Sequence, residues 1–275
     1  MNASSSLVAG AVDIGNTRIK IFAGGQMFAA AFNEAVDGLS WQEQMQKFFW
    51  SFSGKQLALG VASVNPEAER LFEMELKKRS NIKSQPLGPM LATQPFVDIG
   101  GVQGIGQDRI LGLIGALHYD PTLIRPIVTV DCGTAITMNA LTVHRRCLGG
   151  AIMLGMRSHL RALHEFTQLL PRIELGYEDA TAGANTTQAM LVGAVQGAAG
   201  AIKHLVERLV EREFDGIEPL LFITGGDASL LARALQGWHI QPVHEPHIVL
   251  RGIEAVMAHS MAQFFAGIGS TRLGG

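Results

Sequence analysis

Val12-Asp13-Ile14-Gly15-Asn16-Thr17 returns 118 positions later as Val130-Asp131-Cys132-Gly133-Thr134-Ala135. Each copy ends an apolar run near an aspartate, turns through glycine and a small polar residue, and opens a second strand-like segment. Before the first turn, Leu7–Ile14 has the length and apolarity of a buried strand. After it, Arg18–Ala23 alternates, with Ile19 and Ile21 on one face and Lys20 and Phe22 on the other. Gly24-Gly25 then signals a hairpin, with the return strand over Gln26–Phe32. Around the second copy, Ile127–Asp131 is apolar and β-branched, and Ala135–Leu141 alternates again. Chance can supply one such turn in a glycine-rich chain. Two, each opening a strand-rich half, point to a pair of related domains rather than a solenoid. The expected cut falls in Pro121–Pro126, giving domains over residues 1–122 and 123–275.

Between these landmarks the pattern alternates strand and helix. Leu57–Val64 reads as a buried strand that runs into Asn65-Pro66, a helix cap followed by proline at the first helical position. Helices are expected over Glu67–Arg79, Ile110–His118, Met156–Leu170, Thr187–Arg212, Ala228–Gln236 and Ile253–Phe265, and a strand over Leu220–Thr224. The fold class is α/β.

Composition narrows the function. The chain has 275 residues, of which 47% are hydrophobic and only 17% charged, and this excludes intrinsic disorder. A net charge of −2 leaves no basic footprint for nucleic acid or anionic lipid. Thirty-two glycines, against roughly 19 for an average chain of this length, imply many tight turns or close backbone approaches to a ligand. Cys132 and Cys147 are too few for a disulfide framework or a four-thiolate metal site. The apolar N-terminal stretch stops at Asp13 without a basic leader, and the longest uncharged apolar run, Ala189–Ile202, is shorter than a membrane span. A cytoplasmic small-molecule enzyme without a membrane partner is the expectation.

Turns of this type suit nucleotide phosphates. Glycine admits backbone N–H groups close to an anion, the amide and hydroxyl donate hydrogen bonds, and the aspartate holds Mg²⁺ directly or through water. Lys20 lies three residues past Thr17 and adds a positive charge. Taken alone, either turn reads as an ordinary hairpin with an Asx-type hydrogen bond; the pair favours a phosphate clamp. Thr224-Gly225-Gly226-Asp227 follows an apolar strand and leaves a bare turn on which adenine can lie, although a tight strand-to-helix connection has the same sequence. No Gly-x₄-Gly-Lys-Ser/Thr loop and no Gly-x-Ser-x-Gly elbow occurs. His244 and His247 flank Glu245-Pro246 without further ligand spacing, so they read as a loop rather than a zinc site.

Taken in order, the motifs resemble the type III pantothenate kinase family of the actin, Hsp70 and sugar-kinase superfamily. They are Asp13-Ile14-Gly15-Asn16-Thr17 with Lys20, Gly106-Gln107-Asp108-Arg109, Asp131 to Thr137, Gly149-Gly150, Asn185-Thr186 with Ala189-Met190, and Thr224-Gly225-Gly226. The resemblance implies two actin-like (ribonuclease H-like) domains with an ATP cleft between them. It also implies ATP-dependent phosphorylation of pantothenate, the first step of coenzyme A biosynthesis, by a homodimer that needs Mg²⁺ and a monovalent cation, K⁺ or NH₄⁺. By position it makes Asp108 the proton acceptor beside the pantothenate hydroxyl. Arg109 then pairs with the substrate carboxylate, and Gly106, Gln107 and Thr186 line the same substrate. ATP falls to Asp13, Ile14, Gly15, Asn16, Thr17, Lys20, Thr134, Gly225 and Gly226, and the monovalent cation to Asp131.

The chain departs from the family pattern at several points. Ile99 stands where a pocket tyrosine is usual, Gly100-Gly101-Val102 replaces an Asn-Pro, Leu154-Gly155 replaces Pro-Gly, and Asn139 replaces an acid. Ile99 leaves open a kinase of the same superfamily acting on another small alcohol. A non-catalytic nucleotide-binding regulator is the reading from a different class, and the intact Asp13, Asp108, Arg109 and Asp131 set speaks against it.

Overall fold

A computed structural model describes residues 7–119, 121–122 and 124–270, and of 261–270 only the backbone. Residues 1–6, part of the stretch bearing on a leader, lie outside the described residues. The first half runs β1 (Leu7–Ile14), β2 (Arg18–Ala23), β3 (Gln26–Ala31), α1 (Trp41–Trp50), β4 (Gln56–Ser63), α2 (Pro66–Leu76), β5 (Ile82–Pro86), α3 (Gly88–Leu91) and α4 (Gln107–Tyr119). The second runs β6 (Ile127–Cys132), β7 (Ala135–Leu141), β8 (Cys147–Leu154), α5 (Met156–Phe166), α6 (Thr186–Arg212), β9 (Leu220–Thr224), α7 (Ala228–Ala234), β10 (Val243–His244) and α8 (Ile248–Ser270).

The strands form two five-stranded sheets, ordered β3-β2-β1-β4-β5 and β10-β9-β6-β7-β8. Read from the matching end, the second repeats the first. In each, the first three strands pair antiparallel as a meander, and the fourth and fifth run parallel to the first. The sequence echo therefore extends to a duplicated topology.

One compact unit comprises Met1–Pro95, Gly106–His118 and Val249–Gly275. Its hairpin turns as the sequence requires: Gly24 and Gly25 both take positive φ, 53° and 78°, the geometry that matches strand twist. Asn65 accepts the Ala68 N–H at 3.1 Å ahead of Pro66, fixing the start of α2. Val12, Ile14, Ile19, Ile21, Leu59 and Val61 point to one face of the sheet, where Trp41, Met45 and Phe49 of α1 and Ala68, Phe72 and Leu76 of α2 close a core. On the opposite face α8 approaches so closely that a Cβ on Gly60 would lie 2.7 Å from Met257 Cγ. Gly252 of α8 sits in the same way against the Leu111 backbone of α4.

The other unit comprises Phe96–Ile105 and Tyr119–Ile248. Val128, Val130, Cys132, Ile136, Met138, Leu221 and Ile223 face a core built with α5, α6 and α7. By length and composition α6 could cross a bilayer, but its Met190, Ala194, Val195, Ala199, Ile202 and Val206 are buried in this core. The two units do not follow a single cut at 122/123. The last helix belongs with the first unit because glycines 60 and 252 admit it to the back of β4 and α4. Residues 96–105 belong with the second because Asp98 bonds to both sides of Arg146: its N–H donates to Arg145 O, and its carbonyl accepts from Cys147 N–H, both at 2.8 Å.

Candidate functional site

In the first unit, the Asp13 turn sits at the end of β1. Its loop is closed by Gly15 N–H donating to Arg18 O at 3.0 Å, while Ile14 O accepts from Val64 N–H at 3.0 Å and Thr17 O from Phe32 N–H at 2.9 Å. The turn is thus clamped to β4 and β3, and Asn16 and Thr17 stay exposed. Register places Lys20 directly across from Asp13, so the antiparallel pair presents an acid and a base side by side on the face opposite the α1–α2 core.

The same unit carries Gly106-Gln107-Asp108-Arg109 where α4 begins. Gly106 O accepts the Ile110 N–H at 3.2 Å, and a Cβ on Gly106 would lie 2.6 Å from Asp108 Oδ1. Any larger residue at 106 would push this carboxylate away. Asp108 and Arg109 are half-buried, whereas Ile110 to Leu117 are fully buried. A buried helix thus holds two charged residues at its first turn.

In the second unit the turn after β6 is one residue tighter. Gly133 N–H donates to Ala135 O at 3.0 Å, and Asp131 faces Thr137 of β7 on one side and Thr224 of β9 on the other. Thr137 therefore occupies the register position that Lys20 holds in the first sheet. Thr129, Asp131, Thr137, Asn139 and Thr224 all fall on the face opposite the core, which makes an oxygen-rich surface of one sheet. Asn139 is buried, opposite Thr129.

Gly225 presses onto this surface. It has φ +96°, and a Cβ there would collide with both Asp131 Oδ1 and Cys132 O. The next buried residue, Asp227, donates its N–H to Cys132 O at 3.0 Å, so the Gly225-Gly226 turn is stitched to the end of β6. The Cys132 thiol is buried on the other face of β6, in the core. Burial pushes its pKa far above the ordinary thiol range, and the negative charges of Asp131 and Asp227 push it the same way. This cysteine is a core filler.

The first turn of α5 supports Thr134: Gly155 N–H and Ser158 Oγ both donate to Thr134 O, at 3.0 and 2.7 Å. From the same turn, Arg157 Nε donates to Asp227 Oδ1 at 3.0 Å. Thr186 is the first, exposed residue of α6, behind an Asn185 cap that accepts the Gln188 N–H at 3.0 Å. Ile99 is half-buried in a turn closed by Val102 N–H to Ile99 O at 3.0 Å.

Asp13, Ile14, Gly15, Asn16, Thr17, Lys20, Gly106, Gln107, Asp108 and Arg109 thus belong to one unit. Asp131, Thr134, Thr186, Gly225 and Gly226 belong to the other. The structure brings Asp131, Thr134 and Gly225 together through β6, and it adds Arg157 and Asp227, which the motif reading passed over. Asp227 follows directly on the glycine pair, but its partner lies 70 residues away and no local pattern announces it.

A duplicated α/β fold with an aspartate–glycine turn after the first strand of each sheet defines the actin-like class. The chain belongs to the type III pantothenate kinase family, whose model matches residues 11–208. A type III pantothenate kinase from Legionella pneumophila (strain Paris) is 36% identical over 149 residues, covering 54% of this chain and 56% of that protein. The chain thus spans little more than half the length of these Legionella relatives. Type III pantothenate kinase 1 of Symbiobacterium thermophilum is 33% identical over 199 residues, 72% of each chain. Among solved structures, a Baf family transcriptional activator from Campylobacter jejuni superposes with a TM-score of 0.58 at 21% identity, over 92% of this chain and 99% of that one. That likeness concerns the fold alone.

Proposed function

We propose that this chain transfers the γ-phosphoryl group of ATP to the primary hydroxyl of pantothenate, giving 4′-phosphopantothenate and ADP. The observation that carries this reading is the pair of aspartate–glycine turns at equivalent places in two sheets of identical order, within a chain whose residues 11–208 match the family. Asp13 to Thr17 and Lys20 bind phosphate oxygens, as does the Thr134 turn. Gly225 and Gly226 leave backbone bare for the adenine. Asp108 accepts the hydroxyl proton as the oxygen attacks the γ-phosphorus, and Arg109 holds the substrate carboxylate through its planar fork, with Gly106, Gln107 and Thr186 as the further substrate contacts. The transition state is loose, so positioning contributes more than base strength.

The donors suit hard cations. Carboxylate and hydroxyl oxygens at Asp13, Asp131, Thr137 and Thr224 are the ligand chemistry of Mg²⁺ and of K⁺ or NH₄⁺ rather than of thiophilic metals. Asp131 is the proposed monovalent-cation ligand. When bound, such ions would supply charge neutralisation at the phosphates. A homodimer and a cytoplasmic location accompany this reading through the family resemblance.

The test is ADP release with and without pantothenate, run beside ATP calorimetry on the parent and on Asp108→Asn. The parent should turn over only with pantothenate. The variant should lose about 10²–10⁴-fold in kcat with ATP affinity near normal. An unchanged kcat would remove Asp108 from the chemistry. A parent that binds ATP but phosphorylates another hydroxy acid preferentially would move the assignment to a different alcohol, with Ile99 the first residue to suspect.

A further inference from the structure

We propose that Arg157 is a nucleotide-phosphate ligand held in place by Asp227, an inference that rests on the ATP-binding reading of the Thr134 and Gly225 turns. Two local preferences are overridden to make this pair. Asp227 stands at the N-cap of α7, where a carboxylate ordinarily accepts a helix N–H, yet it makes no capping bond and turns to Arg157. Arg157 stands in the first turn of α5, the positive end of a helix dipole, where an acid is favoured and a cation is not. Local rules broken at two ends of one contact mark a position set by function rather than by secondary structure.

The geometry gives that position a use. Asp227 is the buried partner, with its side chain 8% exposed, while the Arg157 side chain is 55% exposed. Only Nε is engaged, so the two terminal guanidinium nitrogens have no partner among the described residues. A guanidinium anchored through Nε presents the rest of its planar fork to solvent, pre-oriented for the oxygens of a phosphate. The anchor lies beside the proposed nucleotide turns. Gly155 and Ser158, on either side of Arg157, hold Thr134 O, and Asp227 N–H holds Cys132 O next to the Asp131–Gly225 contact. Arg157 would also offset part of the negative charge that Asp131 and Asp227 place at the end of β6, where a polyphosphate would otherwise be repelled.

The experiment compares ATP with adenosine. Titrations of both into the parent, Arg157→Gln, Arg157→Lys and Asp227→Asn separate a phosphate contact from a structural prop. Arg157→Gln should weaken ATP about ten- to a hundredfold and leave adenosine within twofold. Arg157→Lys should recover part of the loss. Asp227→Asn should fall between parent and Arg157→Gln, because the fork persists but loses its anchor. Equal weakening of ATP and adenosine, or no weakening of either, would overturn the assignment. So would an Arg157→Lys variant as impaired as Arg157→Gln with an unaltered melting temperature. A parent that binds ATP but never phosphorylates pantothenate would refute the kinase reading and leave the Arg157 result standing. A parent that binds no ATP would refute both.

Discussion

Gly225→Ala tests a close backbone contact in the site. Two costs add at this residue. Its φ of +96° lies in the left-handed region, which costs an L-residue roughly 1–2 kcal/mol. Its Cβ would also collide with Asp131 Oδ1 and the Cys132 carbonyl, one of them backbone, so that neither a rotamer change nor a small shift relieves it. Overpacking of this kind typically costs about 1–3 kcal/mol, giving an expected total of about 2–5 kcal/mol. Gly237 supplies the control: its φ is +77°, but nothing lies within 4 Å of a Cβ there, so Gly237→Ala should lose only the backbone share of roughly 1–2 kcal/mol. Both residues lie in the same unit. Urea unfolding followed by circular dichroism measures the difference; with m of about 1–3 kcal/mol/M, an excess of 2 kcal/mol moves the midpoint by about 1 M. ATP affinity should fall in Gly225→Ala alone, because Asp131 is displaced with the strand end. Equal destabilisation of the two variants would refute the close contact and the placement of Asp131 built on it.

Arg109→Lys keeps the charge but loses the bidentate fork, so the pantothenate KM should rise about ten- to over a hundredfold with a smaller change in kcat; an unchanged KM in steady-state assays removes Arg109 from the substrate. If Asp131 holds a monovalent cation, turnover should be high in K⁺ or NH₄⁺ and poor in Na⁺ at matched ionic strength, since the larger ions shed water more readily. Equal rates in all three salts would refute that role and direct attention to Asn139. The Cys132 thiol, kept protonated by burial and two nearby carboxylates, should resist alkylation at pH 8 in the folded chain and react promptly in denaturant; rapid native labelling detected by mass spectrometry would contradict its burial.

Much of the strand framework was legible because its signals are local. Leu7–Ile14, Arg18–Ala23, Ala135–Leu141 and Leu220–Thr224 appear with the bounds their alternation or apolar runs imply. Asn65-Pro66 starts α2 through a cap whose donor and acceptor are three residues apart. Elements with weaker or conflicting local chemistry escaped. Helix α1 begins at a Ser40–Glu43 capping box, a signal present in the sequence, but its apolar residues are mixed with polar ones. Strand β8 carries Gly149-Gly150, and glycine is a poor strand former; Gly150 is required because a Cβ there would run into the Met138 carbonyl of β7. Strand β5, Ile82–Pro86, is a polar edge that ends in proline. Helix α5 stops at Phe166 rather than Leu170, where Thr167 takes an extended φ and ψ.

The sequence by itself determined the duplicated aspartate–glycine turns, the helices that follow from caps and periodicity, and a set of candidate charges. Each depends on interactions within a few residues, and the backbone encodes those directly. Only the tertiary structure decided that Lys20 stands across from Asp13 while Thr137 takes the same place beside Asp131, because strand register is a pairing between segments. It alone returned α8 to the first unit and joined Arg157 to Asp227 across 70 residues. Contacts of that span leave no periodic trace in the chain: they are selected when two faces bury each other, and a buried carboxylate then requires a partner wherever the fold brings one.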